Sequence, residues 1–255
     1  MTDAPDEPPA ANPSPLSTIG SGIRNAGASL QSLASSTFDR ALIAQQPLAV
    51  SNVARLRRLH PGKTPAELIK YMDVFYLGTV TATGAGAGAA SIVPNAVVQV
   101  PVVLVDLATF LQASVFYTLC VAEIHGVDIE DIERRRLLVT AVLIGNAAAT
   151  SALEPLIGRM APYWGKKIVA SIPMRVIDAA NKVLGPRFIT KYGIKQGVLV
   201  LGKQLPLAIG VGIGAGGNHV FGRFVVGAAR KILGPAPKDW THLDGADSGP
   251  GVGIV

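Results

Sequence analysis

The chain has 255 residues, of which 49% are hydrophobic, 16% charged and 5% aromatic, and its formal net charge is +6. This is apolar material enough for one sizeable core. Charge is well below the roughly 25% of ordinary soluble domains, and aromatics do not interleave with the basic residues, which argues against nucleic acid and for anionic lipid. The lone cysteine, Cys120, excludes an intrachain disulfide and a cysteine metal cluster.

In chain order, residues 1–39 are expected to be a mostly disordered tail, opening on proline, alanine and serine without apolar periodicity. They show neither the basic stretch nor the apolar stretch of a secretory signal, so the expected location is cytoplasmic. Apolar Leu48, Val53, Leu56 and Leu59 recur at helical spacing and predict a helix over 42–59, stopped by His60-Pro61-Gly62. The next helix has a full start signal: Thr64 as cap, Pro65 in the first turn and Glu67 to close a capping box. It leads into the first of two glycine-dense apolar stretches, residues 78–90 and 207–218. Pairs four apart (Gly84/Gly88, Gly210/Gly214, Gly212/Gly216) put small surfaces on one helix face and predict close helix packing, in a protein core or in lipid.

Residues 74–105 carry no charged side chain. Pro94-Asn95 is expected to turn this run and Pro101 to bend or restart it, giving a hairpin over 74–119. Asp128 is expected to open a third helix, with Glu130, Asp131 and Glu133 favouring its positive end. That helix would run to Leu153 and stop at Glu154-Pro155 and Gly158. Residues 159–203 are basic, with nine Lys or Arg against Asp178 alone. The second glycine stretch and a closing helix over 221–233 follow, and residues 234–255 resemble a second disordered tail. No alternating strand pattern occurs. The expected fold is all-α, a compact glycine/alanine-rich bundle over 40–233.

Three uncharged runs, 74–105, 137–153 and 204–222, approach the roughly 20 residues needed to cross a bilayer. The last two have basic residues on both sides, which disfavours a true span. They are expected to be core helices of a peripheral or partly inserted body, and the 74–119 hairpin is the candidate for insertion, returning both its ends to one side.

Apparent chemical motifs dissolve on inspection. Gly212-Ile213-Gly214-Ala215-Gly216-Gly217 has dinucleotide-loop spacing but no preceding strand, and the next acidic residue is Asp239. Residues 197–204 approach a phosphate-binding loop, but Gln204 replaces the magnesium-binding hydroxyl and apolar residues fill the loop. Gly62-Lys63-Thr64 is better read as a helix cap. His60, His125, His219 and His242 show no metal-ligand spacing. The expectation is therefore no enzyme, no catalytic residue, no cofactor and no metal. Asp106 is the most unusual position, a carboxylate inside Val102-Val103-Leu104-Val105-Asp106-Leu107. Its expected role is structural, paired with Lys203, Arg223 or a helix end; the alternative is an ion or proton site in a membrane segment. Asn146 and Asn218 each follow a glycine in an apolar run and are expected to bond across helix interfaces.

Several of these elements together resemble the EcsC protein family. They are Pro61-Gly62-Lys63-Thr64-Pro65-Ala66-Glu67, the glycine-rich run after Tyr76, and the Pro94/Pro101 segment leading to Ile124-His125-Gly126-Val127-Asp128. Asn181-Lys182-Val183-Leu184-Gly185, the block from Leu205-Pro206 to Gly217-Asn218, and Ala228-Ala229 complete the set. The likeness covers about 40–233, with His125 where a tyrosine is expected. It implies a hydrophobic helical bacterial protein whose namesake is associated with an ABC-type transporter, and it implies no catalytic residues. The expected function is thus a non-enzymatic protein on the cytoplasmic face of the plasma membrane, accessory to an ABC-type transporter or another membrane complex. Lys166, Lys167, Lys191 and Lys195 are the candidate lipid contacts. Two alternatives stand beside it: an integral helical pore centred on Asp106, and a soluble enzyme or small-ligand binder with its pocket near Asp106, Asn146 and Asn218.

Overall fold

The structure, a computed structural model, describes the backbone of residues 15–90, 96–128, 130–157, 172–202 and 207–244. Side chains are described chiefly over 35–87, 105–128, 130–155, 172–188 and 215–241. All regular structure among the described residues is helical: α1 Pro15–Leu59, α2 Pro65–Ala90, α3 Ala96–Ile124, α4 Ile132–Ile144, α5 Asn146–Ile157, α6 Met174–Gly202, α7 Leu207–Leu233 and the single turn α8 Thr241–Asp244. The all-α fold is as expected.

The start of α2 follows its sequence signal. The Thr64 amide donates to Glu67 Oε2 at 2.8 Å, and the Glu67 amide donates to Thr64 Oγ1 at 3.3 Å, a reciprocal capping box. These bonds to the carboxylate hold the Glu67 carboxyl below its usual value. Elsewhere the boundaries differ from expectation. The cap of α4 is Asp131, whose carboxylate accepts from the Glu133 and Arg134 amides, while Asp128 accepts from the Glu130 amide in the preceding turn. The run 137–153 is not one helix, because Gly145 adopts φ 102°, a conformation that side-chain-bearing residues avoid, and the chain restarts at Asn146. Pro155 lies inside α5 rather than ending it. The second glycine stretch and the closing helix form one element, α7.

Both expected tails are shorter than drawn. Helix α1 begins at Pro15, and Thr37 and Phe38 are buried, with Phe38 against Phe188 at 4.6 Å between ring centroids. At the other end Trp240 donates to the Lys63 carbonyl at 3.0 Å and receives Arg57 over its ring at 4.5 Å. Residues 1–14 and 245–255 lie outside the described part.

Helix α3 is the hub. It packs on α1 and α2, and α2 makes the most extensive interface of all with α7. Paired positions show that α2 and α3 are antiparallel, Asp73 meeting Tyr117 and Tyr76 meeting Ser114. The α2–α7 pairs are antiparallel too: Asp73 meets Arg230, and Thr81 Oγ1 lies 3.1 Å from His219 Nδ1. Helices α4, α5 and α6 form a second group; of three consecutive arginines on α4, two fasten it to α1 and the third holds the chain just before α6. Arg135, buried, donates to the Leu42 carbonyl at 2.6 Å; Arg136 pairs with Asp39 at 2.5 Å; Arg134 donates to the Ile172 carbonyl at 3.1 Å. Desolvation holds the Arg135 guanidinium below its ordinary value. These cations are spent inside the fold, and residues 137–144 between them and Gly145 are all buried, as expected of a core helix.

The two glycine stretches therefore belong to the same helix pair, and a close approach is seen at Gly222. A Cβ there would lie 3.0 Å from both Leu77 Cδ2 and Val80 Cγ2, whereas at Gly78, Gly86 or Gly216 it would meet nothing within 4 Å. Of the expected glycine pairs, Gly216 is thus exposed rather than packed, Gly84 is buried, and Gly88, Gly210, Gly212 and Gly214 fall among residues whose side-chain positions are not described. Gly78→Ala and Gly216→Ala are each expected to stabilise the fold by about 0.5–1 kcal/mol, the helix-propensity difference. Gly222→Val is expected to cost about 1–3 kcal/mol by overpacking. Urea denaturation of the three variants measures both; a Gly222→Val variant as stable as wild type would refute the close contact.

Candidate functional site

A cleft of about 480 Å³ that could hold a molecule lies between α1, α2 and α3. Helical spacing builds its walls. Gln45, Leu48 and Asn52 share one face of α1; Met72, Phe75, Tyr76 and Thr79 line α2; Thr109, Gln112, Ala113, Phe116 and Tyr117 line α3. Leu48 and Phe75, 54% and 55% exposed, stand on its open side, while Met72, Tyr76 and Tyr117 are buried beneath.

Beneath it lies a polar network. Tyr76 and Tyr117 stack at 4.6 Å between ring centroids. The Tyr76 hydroxyl meets Ser114 Oγ at 2.7 Å, and Tyr117 donates to Asp73 Oδ1 at 2.6 Å. The other Asp73 oxygen receives Arg230 from α7. A buried carboxylate thus has two donors on different helices, which burial of a charge requires. Ser114 also donates to the Phe110 carbonyl at 2.6 Å. At the side wall, the Asn52 amide nitrogen lies 3.8 Å from both Met72 Sδ and Cys120 Sγ.

None of these groups is tuned for covalent or acid–base chemistry near neutral pH. Burial, reinforced by the Asp73 carboxylate, raises the Tyr117 hydroxyl far above its ordinary value, and burial does the same to Tyr76. Burial pushes the Cys120 thiol up to about 12. A reactive cysteine needs the opposite shift and access to solvent. What the cleft offers is shape, apolar walls and neutral hydrogen-bonding groups.

The sequence-predicted polar residues are elsewhere. Asp106 and Asn218 are both buried and come together, Asn218 Nδ2 donating to Asp106 Oδ1 at 2.8 Å. The helix-bridging role expected of Asn218 is met, and the Asp106 contact identified here is this amide; Arg223, one of the proposed partners, is exposed. Asn146 starts α5 and is only half-buried. None of the three lines the cleft, so a pocket formed by them is not found among the described residues. Lys166, Lys167 and Lys203 lie outside the described residues; Lys191 and Lys195 are on the backbone of α6, their side chains undescribed. His125 occupies a structural post, with Nδ1 2.8 Å from the Val121 carbonyl and Nε2 3.3 Å from that of Gly234. The cleft's only trace in the sequence is a set of amides spaced along α1 and α3, which look like ordinary solvated residues until the helices are placed.

No protein-family model matches the chain, and no curated protein or solved structure matches it either.

Two outcomes follow from the network. Tyr117→Phe removes a donor to a buried carboxylate and is expected to cost about 1.5–3 kcal/mol, against about 0.5–1.5 for Tyr76→Phe, whose partner is neutral; chemical denaturation checks the order, and equal costs would show that Tyr117 does not support Asp73. Second, Cys120, Tyr76 and Tyr117 hold their protons more tightly folded than unfolded. Their contribution is complete below the unfolded values, near 9 for the thiol and 10 for the phenols, and is lost as pH rises above them. The melting temperature is expected to fall steadily above pH 9 while Cys120 resists a thiol reagent at pH 8 until the chain is unfolded; rapid labelling of native protein would contradict this.

Proposed function

We propose that this is a non-enzymatic protein held at the cytoplasmic face of a membrane by one end of its bundle, partly inserted, and acting there as an accessory to a membrane complex. An ABC-type transporter is the partner that the EcsC resemblance implies. The supporting observation is where uncharged sequence collects in space. Because α2 is antiparallel to both α3 and α7, the end of α2 (residues 78–90), the start of α3 (96–105) and the start of α7 (207–222) share one end of the molecule, and none carries a charged residue.

The described outer faces agree. On α2, Val74 and Phe75 are exposed at 73% and 55%, followed outward by exposed Gly78, Ala82 and Gly86; on α7, exposed Gly216, Val220 and Phe224 continue the surface. Contiguous exposed apolar surface of this kind marks interaction sites. Exposed Lys70, Arg230 and Lys231 lie toward the opposite end, and exposed Arg223, one residue from the Gly222 contact with Leu77 and Val80, marks the border. The uncharged part of α2, residues 74–90, is roughly 25 Å long at about 1.5 Å per residue, sufficient to enter a bilayer of about 30 Å core thickness without crossing it. One segment of the described residues, Val105–Ile124, is long and apolar enough to span, but 67% of its window is buried among other helices, which suits a core helix.

Lys191 and Lys195 lie on α6 within about 16 Å of its end at Gly202, on the approach to the start of α7. Lys203, in the connection, has an aliphatic stem long enough to carry its amine to a headgroup layer. Each cation near an anionic surface adds about 1 kcal/mol. The high pKa values of Tyr76, Tyr117 and Cys120 favour a binding role over a catalytic one.

Flotation with phosphatidylcholine/phosphatidylglycerol vesicles tests this. Wild type is expected to float; Ala82→Lys combined with Gly86→Lys, at exposed positions, should stay in the dense fraction with its melting temperature unchanged. Gln at Lys166, Lys167, Lys191 and Lys195 should weaken binding at least tenfold at low salt. A wild type that does not float, or a double-lysine variant that floats equally well, would overturn the proposal.

A further inference from the structure

We propose that the α1/α2/α3 cleft is a binding site for an uncharged single-chain amphiphile, its alkyl chain against Leu48, Met72, Phe75 and Phe116 and its neutral polar head on the amide of Asn52. The volume, about 480 Å³, falls in the range of small-molecule sites, about 300–1,000 Å³. The three helices that form the site pack on one another within the protein, so its occupancy can be measured without a membrane.

Charge selects the class of ligand. No carboxylate, ammonium or guanidinium lines the cleft. A charged head entering it would give up hydration with no counter-charge to replace it. The polar groups present are neutral: the amides of Gln45, Asn52 and Gln112, of which Gln112 is exposed, and four hydroxyls that are committed. Thr79 and Thr109 donate to the carbonyls of Phe75 and Val105 at 2.9 and 2.8 Å. The Tyr76 and Tyr117 hydroxyls are engaged with Ser114 and Asp73.

Asn52 is different. Its amide nitrogen faces the two sulfurs of Met72 and Cys120 at 3.8 Å, and thioether and thiol are weak acceptors. The Cys120 thiol, held protonated, does not supply the thiolate that would make a strong one. A primary amide set among sulfurs on an apolar wall has hydrogen-bonding capacity left for an incoming hydroxyl, carbonyl or amide. That exchange gives the ligand's head a partner of full strength. Around it Met72 supplies an adaptable thioether and Phe116 a half-buried ring, surfaces that accept a flexible chain without a fixed shape. The hydrocarbon leaves through the open side, between Leu48 and Phe75.

The experiment uses full-length protein in solution, without vesicles, so its failure is separable from failure of membrane binding. Three ten-carbon probes, decan-1-ol, decanoate and decylammonium, are titrated by calorimetry and scored by shift in melting temperature. Decan-1-ol is expected to bind saturably at one site, at least tenfold tighter than either charged probe. Ala113→Phe, which fills the cleft from α3, should weaken it at least tenfold, and Asn52→Leu about fivefold. Should Ala113→Phe not fold, Leu48→Trp at the exposed mouth replaces it. No saturable decan-1-ol binding, equal binding of the charged probes, or full affinity in the filled variant would each overturn the proposal.

Discussion

The antiparallel seating of α2 against α7 is the constraint from which the rest follows. It is made possible at Gly222, the position where a side chain would press on Leu77 and Val80, and it is pinned by Asp73 with Arg230 on one side and Thr81 with His219 on the other. Once that register is set, Asp73 is delivered to Tyr117, so α3 is fixed to the same pair through one carboxylate. Breaking such a buried charge pair by removing one member leaves the other uncompensated and costs several kcal/mol, although Arg230, with its side chain 58% exposed, recovers part of that from water. The network therefore specifies register more than it supplies net stability. The apolar interior does the latter, and in a chain with so few aromatics it does so through aliphatic contacts together with two buried ring pairs, Tyr76–Tyr117 and Phe38–Phe188.

The same register gathers the charge-free stretches of α2, α3 and α7 at one end of that three-helix group. Along the sequence the charge-free runs are far apart, at 74–105 and 207–222, and each alone is ambiguous between a buried core helix and a membrane segment. Packing places them side by side, yet leaves Val74, Phe75, Val220 and Phe224 outside. A soluble core explains the inner faces of these helices. It does not explain outer faces that run from Val74 to Gly86 without one charge, where a solvated helix ordinarily carries its polar residues.

Local signals were legible in the sequence, and long-range ones were not. The Thr64–Glu67 capping box, the all-helical character and the α2/α3 hairpin could be read because each rests on residues within a turn or on periodicity. The break at Gly145 was missed because a glycine in an apolar run usually continues a helix at modest cost, and only the backbone shows φ 102° there. The N-terminal boundary was drawn too late because residues 15–36 have weak apolar periodicity, yet the helix begins at Pro15 and carries buried Thr37 and Phe38. Trp240 was hidden for a related reason: a single aromatic in a proline- and glycine-rich stretch looks like tail until Arg57 and the Lys63 carbonyl are seen to hold it. For the site, Asp106 and Asn218 were identifiable as polar anomalies, and their pairing is a spatial fact separated by 112 positions. The cleft had no sequence signature at all.

That difference bears on how the buried polar groups divide. Asp73 is matched at both oxygens, by Tyr117 and Arg230, and a group satisfied in this way fixes geometry. Asp106 accepts from the Asn218 amide at one oxygen, and that pair is closed off inside the bundle. Asn52 is matched only to sulfur, and it stands on the wall of a space large enough for a ligand. A sequence scan ranks these residues in the reverse order, because a carboxylate in an apolar run attracts notice and an asparagine on an amphipathic helix does not. Ranking by which weakly partnered group borders a space for a ligand, rather than by how unusual it looks, moves functional interest from the centre of the bundle to the groove between α1, α2 and α3.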